Sequence, residues 1–317
     1  MNSSTFSVRV ARKSMVAVDI CTFELVSADG MPLPAFSAGS HIDVHVSDGI
    51  ARQYSLCNDP AESHRYLIAV LKDPATRGGS KAMHEAVNEG DVIRISAPKN
   101  HFQLAHEAKR SLLMAGGIGV TPILCMAERL AIASSDFEMH YCARSRDRMA
   151  FHDRIRQSAF SSRVAFHFDD GEPSQKLDIA SLLAAPSPGT HLYVCGPKGF
   201  MDAVLATAHA LGWPEAQVHY EFFSAEVKSS ETDGSFDIKL ASSGRVVSGG
   251  NSCLSFSARS MLGIRFSGTK YMLRQSPSGH LLSLVRVPVS VPSSNGTRAM
   301  TATSISAHAG NNSSSGL

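Results

Sequence analysis

The chain has 317 residues, 43% hydrophobic and 18% charged, with a formal charge of +2. That length suits two or three domains of about 100–200 residues each. Mean hydropathy is −0.04, and no apolar run reaches the roughly 18 residues a membrane span needs, so a spanning protein is excluded. The N-terminus has no basic segment followed by a long apolar one, so a cytoplasmic location is expected rather than secretion. Six cysteines, at 21, 57, 125, 142, 195 and 253, form no CxxC pair, which argues against a disulfide scaffold or a zinc finger.

Residues 3–104 read as short strands. Phe6–Val10 and His41–Val46 alternate apolar and polar residues, the period of a half-buried strand. Turn signals at Ala28–Gly30, Ser47–Gly49, Asn58–Pro60 and Asn88–Asp91 separate the runs, the spacing of a small antiparallel barrel. One helix is predicted over Ser80–Val87 with Ser80 as its N-cap.

Residues 110–224 change character. Strands are predicted at Arg110–Ala115, Phe137–Cys142, Arg163–Phe168, His191–Cys195 and Val218–Phe223. Helices are predicted between them at Thr121–Ala133, Ala150–Ser158, Lys176–Leu183 and Gly199–Leu211. Such alternation implies a parallel sheet covered on both faces. A polar linker, Lys228–Ser235, leads to a hairpin over Phe236–Val247, after which the regular pattern disappears.

The charge divides at the same place. Residues 1–247 hold all 28 acidic residues and carry a net charge of −4, whereas residues 248–317 carry six basic residues, no acid and 17 serines. The six charges are scattered and not interleaved with Phe256, Phe266 or Tyr271, so a nucleic-acid surface is not expected. A disordered Ser/Gly/Asn-rich tail fits residues 276–317.

Five motifs carry chemistry. In Arg52-Gln-Tyr-Ser-Leu56, Arg52 and Tyr54 share a strand face, and a guanidinium is a fixed fork for phosphate; a plain strand with a surface arginine reads the same way. Arg77-Gly-Gly-Ser-Lys81 lets backbone N–H groups approach an anion at a helix start, or is simply a turn before a capped helix. Met114-Ala-Gly-Gly-Ile-Gly-Val-Thr-Pro122 joins a strand to a helix and can admit a pyrophosphate, with Thr121 as cap and Pro122 in the first turn, although it is not GxGxxG. Tyr193-Val-Cys-Gly-Pro-Lys-Gly-Phe200 leaves room at a strand end; Cys195 there is a packing cysteine or a ligand neighbour and has no nucleophile's His–Asp partners. His219-Tyr-Glu-Phe-Phe223 ends the α/β region with an aromatic that can cover a flavin ring or simply finish a core strand.

In this order the five motifs resemble the ferredoxin-reductase superfamily. More narrowly, residues 5–247 resemble the reductase components of two-component Rieske oxygenases, of the phthalate dioxygenase reductase and vanillate demethylase reductase type. The resemblance implies an FMN-binding antiparallel β-barrel (1–106), an NAD-binding α/β domain (107–226), a linker (227–235) and a C-terminal β-grasp, plant-type ferredoxin position (236–317). Carried over residue by residue, Arg52, Tyr54 and Ser55 would line the flavin, and Gly79 and Ser80 would hold its phosphate. Gly116, Gly117, Gly119 and Thr121 would face the NADH pyrophosphate, and Cys195 and Gly196 would border the nicotinamide. Phe223 would lie against the isoalloxazine, so Cys195, Ser55 and Phe223 would surround the reacting atoms. Arg144 and Arg146 would lie near the adenosine ribose, which leaves NADPH open beside NADH. The implied activity is an NADH-dependent reductase that hands electrons singly from FMN, through a [2Fe–2S] centre in the family, to a Rieske-type oxygenase of aromatic-compound degradation. A monomer is implied.

The chain departs from the family in one respect. A plant-type cluster needs four cysteine thiolates, and after Phe236 only Cys253 is present. Natural loss of the cluster, a shift of reading frame near Ser248 and a genuine basic tail all fit; the acid-free, unpatterned text favours the frame shift. The alternative functions are a cluster-free NADH:acceptor reductase and a non-catalytic flavin-binding redox sensor.

Overall fold

The computed structural model describes residues 5–47, 50–74, 78–184 and 187–223, together with the backbone of five short strands beyond them. The chain divides into two compact units, Met1–Ala225 and Glu226–Leu317.

The first unit opens with strands β1 (Thr5–Ala17), β2 (Ile20–Ser27), β3 (Ser40–Ser47), β4 (Ile50–Ser55) and β5 (Tyr66–Leu71). Helix α1 (Gly79–Glu85), β6 (Val92–Ser96) and the two-residue β7 (Lys99–Asn100) follow. All pairings are antiparallel, in the order β4-β3-β6-β1-β2-β5, with β7 added against β3. A single antiparallel bridge from Leu56, just past β4, to Ile68 of β5 brings the two outer strands together. Register shifts after Val10 and Met15 bend β1, as bulges do where a strand must curve round a barrel. Alternation buries one face of each strand: Val8, Val10, Phe23, Leu25, Ile42, Val44, Tyr66, Ile68 and Ile95 are fully buried, and Met83 of α1 joins them. Each such side chain stabilises the fold by roughly 1.5–3 kcal/mol.

The second half runs β8 (Arg110–Gly116), α2 (Val120–Ile132), β9 (Asp136–Ala143), α3 (His152–Arg156), β10 (Val164–Phe168), α4 (Ile179–Leu183), β11 (Thr190–Cys195), α5 (Lys198–Ala210) and β12 (Val218–Glu221). The five strands are parallel in the order β10-β9-β8-β11-β12. Helix α2 packs on one face, and its core includes Ile20, Ala38, Cys57, Ala69 and Phe102 of the barrel, so the two halves share buried apolar surface. Helices α4 and α5 cover the other face around Leu112, Met114, Leu192 and Val194, and the Trp213 indole N–H donates to the Leu183 carbonyl at 3.0 Å. No helix among the described residues is long and apolar enough to cross a membrane.

Two local expectations are corrected. Ser80 does not cap α1: Gly78 holds that position at φ 96° and Ser80 lies inside the helix, where its hydroxyl accepts from the Asp73 N–H at 3.2 Å. A left-handed residue is needed there, and glycine adopts it without cost. Thr121 does not cap α2 either; a 3₁₀ turn at Gly117–Gly119 leads into the helix, and the Thr121 hydroxyl donates to the Ile118 carbonyl at 3.1 Å. The terminal strand stops at Glu221, leaving Phe222 and Phe223 outside it.

In the second unit, β13 (Phe236–Lys239) and β14 (Val246–Gly249) form the expected antiparallel hairpin, with Ile238 opposite Val247. Beyond it, where no regular pattern was expected, β15 (Lys270–Gln275), β16 (Leu281–Val287) and β17 (Ile305–His308) pair antiparallel. Arg77, Cys253 and most of the tail lie outside the described residues.

Candidate functional site

In the parallel sheet, chain order reverses between β8 and β11, and ligands of open α/β sheets bind at the carboxyl ends of strands flanking such a switch point. The turns after these strands meet there. A Cβ built on Gly119 would lie 2.3 Å from the Cys195 carbonyl oxygen and 2.6 Å from the Gly196 nitrogen. Only a glycine allows the two turns so close. Gly117, at φ 51°, turns the chain between them. Cys195 is paired in register with Ala115 on one side and Glu221 on the other. It is fully buried, and burial pushes its thiol well above the ordinary range, so it serves as a small packing group rather than a nucleophile.

The barrel contributes from β4. The Ser55 hydroxyl donates to Glu221 Oε2 at 3.4 Å, so residues 166 positions apart in the chain meet. Glu221 is half-buried; burial raises its carboxyl to about 7, against a lowering by the Ser55 hydrogen bond. Near neutrality this group is a proton donor and acceptor poised at the sheet edge. Sequence reasoning weighted the aromatics of His219–Phe223 and gave Glu221 no role. The available signal was a lone carboxylate ending an apolar terminal strand.

Arg52 and Tyr54 lie on the other face of β4, opposite Val44 and Ile42. Tyr54 packs against the barrel core, and burial pushes its hydroxyl up to about 12. The Arg52 side chain crosses the start of α1: a Cβ on Gly79 would stand 2.7 Å from its Nε and 2.8 Å from its Cγ. Ser80 is buried next to Gly79. A guanidinium over two small residues is a fitting seat for a phosphate.

The structure thus brings Ser55, Gly116, Gly117, Gly119, Cys195, Gly196 and Glu221 to one place, and Arg52, Gly79 and Ser80 to another on the same barrel. Thr121 lies buried in the first turn of α2. Arg144 is exposed just past the end of β9, and Phe223 is 43% exposed after β12.

An antiparallel barrel packed against a parallel sheet with a glycine turn at its switch point is an architecture that offers a ligand crevice at the strand ends. Comparison with known proteins narrows this. Residues 93–218 match the family described as dimethylamine monooxygenase subunit DmmA-like, N-terminal domain. The chain is 58% identical over 237 residues to vanillate O-demethylase oxidoreductase of Pseudomonas putida, covering 75% of this chain and 74% of that one. It is 40% identical over 238 residues to phthalate dioxygenase reductase of Burkholderia cepacia, covering 74% and 73%. A solved phthalate dioxygenase reductase, described as a modular structure for electron transfer from pyridine nucleotides to [2Fe–2S], superposes with a TM-score of 0.67 at 37% identity, covering 78% of this chain and 77% of that chain. The chain belongs to this family of oxygenase reductase components. It is an oxidoreductase.

Proposed function

We propose that this chain takes electron pairs from NADH on FMN and delivers them singly to a Rieske-type oxygenase of aromatic-compound degradation, acting as a cytoplasmic monomer. The observation that carries the reading is the meeting of Ser55 from the barrel with Glu221 beside the Cys195–Gly119 crevice. A bound flavin supplies the chemistry a side chain lacks, accepting electrons in pairs and releasing them one at a time. The protein's own residues do the positioning. Arg52, Gly79 and Ser80 seat the flavin phosphate, with the guanidinium fixing its charge; the short α1 favours FMN over FAD. Tyr54, Ser55 and Phe223 flank the ring. Gly116, Gly117, Gly119 and Thr121 hold the dinucleotide, Cys195 and Gly196 border its nicotinamide, and Arg144 lies at its ribose end. Glu221 holds or releases a proton at Oε2 against the Ser55 hydroxyl.

On this reading residues 1–106 are the flavin domain, 107–226 the nucleotide domain, 227–235 a linker and 236–317 the ferredoxin position. The residues there do not fit a [2Fe–2S] cluster, because only Cys253 follows Phe236 where four thiolates are required. No step is routed through a cluster. That shortfall supports a second reading, a cluster-free reductase of small acceptors, and the acid-free text after Val247 supports a change of reading frame near Ser248. The test is to identify the bound flavin by chromatography and compare NADH with NADPH in reducing ferricyanide and a purified Rieske oxygenase. FMN, a preference for NADH and reduction of both acceptors are expected; ferricyanide reduction without oxygenase reduction would favour the second reading.

A further inference from the structure

A turn needs glycine either for backbone freedom or for room. Gly116 needs only room. Its backbone is extended, at φ −119° and ψ 121°, a conformation that any residue adopts. A Cβ built there would stand 2.9 Å from Phe200 Cδ1, 2.9 Å from Pro197 Cδ and 3.1 Å from Phe200 Cγ. Gly196 is alike. Its φ is not in the left-handed region, and a Cβ on it would lie 2.8 Å from Phe200 Cδ1, 3.0 Å from the Gly116 Cα and 3.1 Å from the Gly116 nitrogen. One ring therefore fills the space of two missing side chains. Phe200 lies in the first turn of α5, half-buried, and packs against the cluster that holds Leu112, Met114, Leu192 and Val194. It ends the Tyr193–Phe200 motif, and the site as described so far gives it no role.

We propose that Phe200 is a positioning residue for the nucleotide crevice: its ring, wedged against Gly116 and Gly196, sets the distance between the turn after β8 and the turn after β11. These turns meet twice, at Gly119 with Cys195 and Gly196, and at Gly116 with Gly196. The ring backs the second of these contacts. It is held in its turn by α5 and by the buried cluster, so its place does not depend on a ligand. Interiors are close-packed, and a smaller side chain at 200 leaves a gap into which the turns relax. The inference rests on the proposed nucleotide role of these turns. Gly116, Gly117 and Gly119 hold the dinucleotide on that reading, and Gly196 borders the nicotinamide. A change in their spacing is therefore felt by a ligand that reaches both turns and not by one confined to the first.

The test is calorimetric titration of the full chain, as purified, with NAD+ and separately with AMP, which lacks the nicotinamide half. Phe200→Leu keeps an apolar side chain and removes the ring. It weakens NAD+ binding by about 2–30-fold, the range for a residue that touches no ligand itself, and leaves AMP binding unchanged. Gly116→Ala, whose Cβ pushes the ring aside, weakens NAD+ binding too. Its effect shrinks in the Phe200→Leu background, because both changes act on one contact. Should Phe200→Leu fail to fold, Phe200→Met takes its place, with an unbranched side chain that adapts to the gap. NAD+ bound by the folded variant as tightly as by wild type overturns the proposal. So does equal weakening of NAD+ and AMP, which would make the ring a prop of the fold alone, and so do two effects that simply add. Wild-type protein that binds no NAD+ overturns the nucleotide reading itself, a result distinct from each of these.

Discussion

Replacing Gly79 by alanine tests the phosphate seat without altering any charge. The added Cβ would meet Arg52 at 2.7 Å from Nε, 2.8 Å from Cγ and 3.2 Å from Cδ. Contacts that short cannot persist, but every atom met belongs to one flexible side chain, so Arg52 swings aside and the backbone stays. Gly79 is the first residue of α1, where alanine is the better helix former by up to about 1 kcal/mol, so stability holds or rises. What is lost is the guanidinium's aim. A hydrogen bond to a charged group contributes about 1.5–3 kcal/mol, which corresponds to roughly 10–150-fold in Kd. The assay is FMN titration of apoprotein, followed by quenching of flavin fluorescence, with thermal unfolding as the control. Arg52→Ala should weaken binding by a similar factor, and the double variant should be no weaker than Arg52→Ala alone, since both act on one contact. FMN bound as tightly by Gly79→Ala as by wild type, or two effects that simply add, would refute the seat.

Three further outcomes are expected. Gly119→Ala drives a Cβ to 2.3 Å from the Cys195 carbonyl oxygen, a backbone atom that cannot step aside. Overpacking of about 1–3 kcal/mol or more should lower Tm by several degrees in a thermal melt, and an unchanged Tm would show that the crevice is looser than described. Glu221, raised to about 7 from 4.5, binds more protons in the folded than in the unfolded chain between those pH values. Its contribution to stability therefore falls as pH rises from about 4.5 to 7, by at most about 3 kcal/mol; Glu221→Gln should remove that slope from urea-unfolding curves, and an unaltered slope would deny the raised pKa. The full chain, with Cys253 alone after Phe236, should contain no acid-labile sulfide and no iron in proportion to flavin; two irons per flavin would show that other ligands hold a cluster.

Local rules were legible in the sequence wherever one stretch of chain decides the outcome. Alternation in Phe6–Val10 and His41–Val46 marked strands of the barrel, and the glycines of 116–119 between an apolar strand and a helix marked the switch-point turn. Cap geometry was less legible: Ser80 is a common capping residue, but the left-handed Gly78 holds the cap position instead. Glu221 was only partly legible, for a different reason. Its sequence shows a carboxylate ending a terminal strand, but its raised pKa comes from burial, and the Ser55 it meets lies 166 residues away. Nothing in the local sequence states that meeting.

The site also explains why the two halves of the first unit share a core. On the proposed reading neither half holds a complete set of groups: Arg52, Tyr54 and Ser55 belong to the barrel, whereas Cys195 and Glu221 end strands of the parallel sheet. Their meeting requires the barrel to dock at one fixed position on α2. Phe102, Cys57 and Ala38 pack with Ile123, Leu124 and Cys125 in one buried cluster, and the Ala105 N–H donates to the Tyr193 hydroxyl at 2.8 Å. Rigid docking of this kind suits transfer between two bound groups, since displacements of about 1 Å in reacting geometry are costly. The last strand makes the arrangement economical. β12 leaves the sheet beside Cys195 and delivers Glu221 to Ser55, so the same four residues complete the parallel sheet and carry its carboxylate to the barrel.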